Sequence, residues 1–113
     1  MPLGRVAGAR SGDKGGTCTL GVYGRTDAAY DWLAATLTAE RLAELLPEAA
    51  GLPTERELLP NLRAVLFQVH GLLGDGVAAG TRFDPQGKAV GEWLRSRLVD
   101  VPADVLEAEV EAG

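Results

Sequence analysis

Leu62-Arg63-Ala64-Val65-Leu66-Phe67-Gln68-Val69-His70 is the stretch on which the fold turns. Val65, Phe67 and Val69 alternate with Leu62, Ala64 and Leu66, so a strand here is apolar on both faces. Such a ribbon stays out of water only with neighbours on either side, which predicts the central strand of a sheet. Pro60-Asn61 just before it is a turn signal, and Thr54–Leu59 has the length and composition of a short partner strand.

The same alternation recurs upstream. Cys18, Leu20 and Val22 alternate with Thr17, Thr19 and Gly21, the period of a strand over residues 17–23 with one buried face. Residues 3–10 read as a second strand, with the glycine-rich stretch Ser11–Gly16 looping between the two. Gly24-Arg25-Thr26-Asp27 then ends the strand and offers a helix cap, after which Tyr30, Leu33, Ala34 and Leu37 recur at helical spacing. Thr38 can cap a second helix carrying Leu42, Leu45, Leu46 and Ala49, with Pro47 ending or kinking it.

Downstream of His70, Gly71–Gly80 reads as a loop before a short strand near Thr81–Phe83. A last helix is predicted from about Gln86 to Val99, with Val90, Trp93, Leu94, Arg97 and Leu98 on its inner side and Val101-Pro102 as its stop. The acidic residues from Glu107 to Gly113 read as a fraying tail. The order predicts one α+β domain over residues 1–113, an antiparallel sheet with helices packed on one face. An apolar face left over on the other side would favour a homo-oligomer.

Composition narrows the function. A chain of 113 residues fits a single core, and 46% hydrophobic residues is an ordinary globular fraction. The net charge of −5 excludes the basic stripe of a nucleic-acid binder and disfavours an anionic membrane surface. No apolar run approaches the roughly 20 residues that span a bilayer, and residues 1–9 are too interrupted for a secretory signal. Cys18 is the only cysteine, so no intrachain disulfide forms and a reducing cytoplasm is expected. One cysteine cannot make a thiolate cluster for zinc, a lone histidine, His70, leaves few nitrogen ligands, and no cofactor is expected.

Two stretches carry chemistry. In Arg10-Ser11-Gly12-Asp13-Lys14-Gly15-Gly16, glycines allow left-handed angles that can make consecutive amides converge on an anion, while Arg10 and Lys14 add charge. The Gly-x4-Gly-Lys-Ser/Thr spacing of a nucleotide-binding loop is absent, and a plain Gly/Asp turn is the competing reading. In Arg82-Phe83-Asp84-Pro85-Gln86-Gly87-Lys88, Asp84 can cap the last helix with Pro85 at its first position, and Lys88 falls in a first turn that disfavours a cation unless an anion is near. These two stretches are expected to meet in one anion-binding pocket. Histidine is the usual general base among side chains, so His70 is a candidate base, although a lone histidine is more often structural. Cys18 reads as a small core residue, and Glu40, Glu44 and Glu48 as a solvated helix face.

Ala7-Gly8-Ala9-Arg10-Ser11-Gly12-Asp13-Lys14-Gly15 followed by Leu20-Gly21-Val22 resembles the opening of the AtuA-like (acyclic terpene utilisation) ferredoxin-fold domain. Leu37-Thr38-Ala39-Glu40, Leu59-Pro60-Asn61-Leu62, Leu73-Gly74-Asp75-Gly76-Val77 and Arg82–Lys88 follow in that family's order, covering about residues 3–102. The resemblance implies a ferredoxin-like two-layer sandwich, in a family where this domain stands behind a larger one or as a separate short protein. It implies an accessory subunit or domain in the breakdown of branched acids carried as CoA thioesters, not catalytic alone but completing the active site of a large AtuA-like partner.

The ligand would be an acyl-CoA or another organic anion held by Arg10, Ser11, Gly12, Asp13, Lys14, Gly15, Asp84, Gln86 and Lys88. A self-sufficient small enzyme or binding protein using Asp13, Lys14 or Lys88 for proton transfer is the second reading, and a structural oligomerisation module the third. The chain departs from the family's pattern at Gly8, where the pattern has His, near Thr19 and Leu66, where it has Asn, and at Asp75, where it has Gly. The two charged stretches are what carries over.

Overall fold

Gly15 and Gly16 have φ of 62° and 90°, and this pair alone turns the chain between the first two strands. Positive φ at both central positions is the two-residue hairpin turn whose twist matches its flanking strands, so the ladder continues right up to it. Strand β1 (Ala7–Lys14) therefore pairs with β2 (Thr17–Gly24) in unbroken register from Ala7↔Gly24 to Lys14↔Thr17. This corrects the expectation of a strand over residues 3–10 and a loop over Ser11–Gly16. Leu3–Arg5 is a 3-10 turn, and Ser11–Lys14 are strand residues. Glycine-rich composition marked the turn, while cross-strand pairing overrode the weak strand preference of Gly12 and Asp13. The computed structural model describes residues 1–72 and 90–112, with only the backbone of Asp13, Lys14 and Ala112.

The cap expected within Gly24–Asp27 is Thr26, and Thr38 caps the second helix as expected. Thr26 Oγ1 accepts the Ala29 N–H at 3.1 Å and starts α1 (Asp27–Thr36), and Thr38 Oγ1 accepts the Arg41 N–H at 3.1 Å and starts α2 (Ala39–Leu45). Pro47 follows α2 in a 3-10 turn, Pro47–Ala49. Strand β3 (Thr54–Leu59) leads through the turn Pro60–Leu62 and Arg63 into β4 (Ala64–Val69). Leu62 belongs to that turn and is 68% exposed, so the central strand starts two residues later than its composition suggests.

Arg63 has φ 51°, the one positive value on a non-glycine among the described residues. Its surroundings hold it there: the guanidinium donates to Asp27 Oδ1 at 2.8 Å and to the Arg25 carbonyl at 3.0 Å, while its own carbonyl accepts from Gly24 N–H.

The strand order is β1-β2-β4-β3, all antiparallel, so β4 is interior as its two-sided apolar pattern requires. Directly opposed residues share a face. Cys18, Leu20 and Val22 on β2 and Val65, Phe67 and Val69 on β4 are fully buried, packed with Leu33, Leu37, Leu42 and Leu46 of the helical pair. Helix α3 (Val90–Ser96) adds Val90 and Leu94 to the same core. The rest of the segment Gly71–Gly80, the strand expected near Thr81–Phe83 and the helix start at Gln86 lie outside the described residues.

The acidic C-terminal residues, expected to fray, instead form α4 (Ala103–Ala112). Val105 is buried with Val6 and Ala29 in a second small cluster, and Arg25 approaches Glu109 at 4.0 Å. The glutamates sit around one apolar anchor, which composition alone does not reveal.

Both sheet edges are tied to helices. Arg95 of α3 donates to the Ala7 carbonyl of β1 at 3.1 Å, and Arg56 of β3 donates to the Leu37 and Ala34 carbonyls at 2.9 and 2.7 Å, where the end of α1 favours a cation. The sheet face opposite the core is mixed rather than apolar. Arg10 opposes Gly21, then Leu66 and Glu57; Gly12 opposes Thr19, then Gln68 and Glu55.

Candidate functional site

On this open face three strand ends bring a hydroxyl, an imidazole and a carboxylate into line. Thr17 opens β2, Glu55 lies on β3, and His70 follows β4, its N–H donating to the Pro53 carbonyl at 2.9 Å so that pairing continues one residue past the strand. His70 Nε2 lies 2.7 Å from Glu55 Oε2, and His70 Nδ1 lies 3.1 Å from Thr17 Oγ1. An ionised carboxylate only accepts, so Nε2 carries the proton shared with Glu55. In neutral His70 the Nδ1 lone pair then accepts from the Thr17 hydroxyl. The side chains of His70 and Glu55 are 42% and 71% exposed, so the cluster is open to solvent. The arrangement ties three strands together, and it is also the donor–acceptor order of a hydroxyl with a base behind it.

Beside it, the floor of the face is backbone. Among the described residues, a Cβ at Gly12 would meet nothing within 4 Å, and one at Gly21 only Leu66 Cδ1 at 3.9 Å. Glycine inside a strand marks a place where something can approach the sheet closely. Arg10 stands exposed on this face, with no ion pair among the described residues. Gly8 differs from the other two: a Cβ there would collide with the Tyr23 ring, which lies across it from the neighbouring strand.

The predicted ligand-binding residues distribute as follows. Arg10 and Gly12 share the open face, while Ser11 turns toward α3, where its Oγ accepts the Gly91 N–H at 2.9 Å. Asp13 and Lys14 pair with Cys18 and Thr17 through the backbone, and Gly15 is in the turn. Successive amides of a strand point to opposite sides, so the amides of Ser11 to Lys14 do not converge on one anion as a loop would allow. Asp84, Gln86 and Lys88, and with them the expected meeting of the two charged stretches, lie outside the described residues.

Cys18 is a buried core residue, as its place in the alternation implied. Among the described residues no group of three or more His, Cys, Asp or Glu could hold a metal ion. The one signal of the Thr17–His70–Glu55 cluster available in sequence was His70; Thr17 and Glu55 became visible only through strand pairing.

The family model of the AtuA ferredoxin-like domain matches residues 1–100. The chain belongs to that family. No curated protein and no solved structure matches it.

Proposed function

Starting from that membership, we propose that the chain is an accessory AtuA-like domain which joins a larger partner through its open sheet face and helps complete a site for an organic anion, an acyl-CoA being the class that fits the family. One observation carries this reading: Arg10 is an exposed cation without a counter-ion among the described residues, set beside a glycine floor on an otherwise acidic protein. Arg presents a planar fork suited to carboxylate or phosphate, and the bare backbone at Gly12 and Gly21 lets a ligand or a partner's chain lie close.

The experiment that tests this mixes the chain with a large AtuA-like protein and follows complex formation by sedimentation. Arg10→Glu is expected to weaken CoA-thioester binding by the complex at least about tenfold through loss and reversal of one charge-assisted contact. If no complex forms and CoA binding is unaffected by Arg10→Glu, the chain is a structural module.

A further inference from the structure

We propose that Thr17 Oγ1 is an acyl acceptor, with His70 as its general base and Glu55 as the positioning carboxylate, acting on activated acyl groups such as thioesters and esters. This goes beyond the accessory reading, because it assigns chemistry to the isolated chain.

Three observations carry it. The distances of 3.1 Å from Thr17 Oγ1 to His70 Nδ1 and 2.7 Å from His70 Nε2 to Glu55 Oε2 put both contacts within hydrogen-bond reach. The carboxylate fixes which nitrogen carries the proton, so the one facing Thr17 is free to take another. Access is open as well: Thr17 is only half-buried, the side chains of His70 and Glu55 are 42% and 71% exposed, and among the described residues nothing lies within 4 Å of a Cβ built at Gly12 or at Gly15 in the adjoining turn. A purely structural tie would need the first observation but not the third.

The step balances without a co-reactant other than water. As Thr17 Oγ1 bonds to the acyl carbon, its proton passes to His70 Nδ1, and the imidazolium is held by Glu55 at Nε2. The C–S bond of a thioester, or the C–O bond of an ester, then breaks, and the leaving group takes the proton from Nδ1. Thr17 is left acylated. In the second half His70 takes a proton from water, the water oxygen attacks the acyl carbon, the bond to Oγ1 breaks, and Oγ1 recovers its proton as a carboxylic acid leaves. Thioesters and activated esters suit this site because their leaving groups depart as stable anions and need little acid assistance.

The test uses the full chain with 4-nitrophenyl acetate and, separately, a simple acetyl thioester, with peptide mass mapping to locate the acetyl group. The expected result is acetylation at Thr17, absent in Thr17→Val and retained in Thr17→Ser. His70→Ala is expected to slow labelling of Thr17 about 100-fold, with added imidazole restoring part of the rate. Glu55→Gln is expected to slow it about tenfold or more while leaving the half-saturating probe concentration unchanged. Circular dichroism confirms that each variant is folded; should His70→Ala unfold, the Glu55→Gln rate and the Thr17→Val mass map decide. Acetyl groups confined to lysines and the N-terminus, or Thr17 labelled equally fast without His70, would overturn the proposal.

Discussion

The two faces of the sheet are made by the same four strands and differ in what limits their side chains. On the helix side, Leu20, Val22, Val65, Phe67 and Val69 are wholly buried and nothing polar interrupts them on the two central strands. On the open side, Arg10, Thr19, Gln68, Glu55 and Glu57 share the surface with Tyr23, Ala64 and Leu66, and two glycines leave the backbone bare. The first face is answerable to packing density and the second is not, so chemistry is expected on the second. Strand alternation alone separates the two sets of residues, but only the register says which open-face residues are neighbours.

The sharpest way to break the comparison is to truncate one residue on each side of β4. Phe67 is fully buried at the centre of the core. Phe67→Ala is expected to lower unfolding free energy by about 3–5 kcal/mol, the usual range for emptying such a site. Leu66, its half-buried neighbour on the open face, should cost under about 1 kcal/mol when cut to Ala. Urea titrations of the two variants measure the difference directly; equal losses would mean that the open face is a second core.

Glycines offer a finer contrast. A Cβ at Gly24 would come within 2.6 Å of the Tyr30 backbone nitrogen and 2.9 Å of the Ala29 carbonyl carbon. Helix α1 therefore approaches the end of β2 across a hydrogen atom's width. Gly24→Ala forces that helix to shift, and a loss of about 1–3 kcal/mol is expected, read as a lower melting temperature.

How much of this was legible from the residues follows the range of the signal. The threonine caps at Thr26 and Thr38 were readable because a cap acts three residues ahead, on Ala29 and Arg41. The interior place of β4 was readable because apolar residues fill most of the strand, although only Val65, Phe67 and Val69 are fully buried and Gln68 on the open face is exposed. The hairpin was misjudged in extent, since Ser11-Gly12-Asp13-Lys14 has the composition of a turn and becomes strand only by pairing with Thr17 to Leu20. Helix α4 was missed because its glutamates outnumber the apolar residue that anchors it, Val105. The Thr17–His70–Glu55 cluster was beyond reach: its members are 53 and 15 residues apart along the chain and meet only through the β2-β4-β3 order. Local rules wrote the elements, and the site came from pairing.

The smallest expected effect on stability discriminates most between sheet and site. Gly12 lies within β1 without a positive φ, and a Cβ there would meet nothing within 4 Å among the described residues. Gly12→Ala should therefore leave the fold intact and raise stability by about 0.4–1 kcal/mol, because the unfolded chain loses freedom it no longer has to give up. A glycine kept only for its turn propensity would be improved by the change in every assay. A glycine kept because a ligand or partner lies against the sheet would not: the added methyl stands where that molecule must approach, next to Arg10 and Thr19. The expected outcome is a higher melting temperature together with weaker CoA-thioester binding by the reconstituted complex, measured on the same preparation. A gain in stability with undiminished binding would move the site off the floor of this face, and a loss of stability would mean that the space above Gly12 is filled in the protein itself.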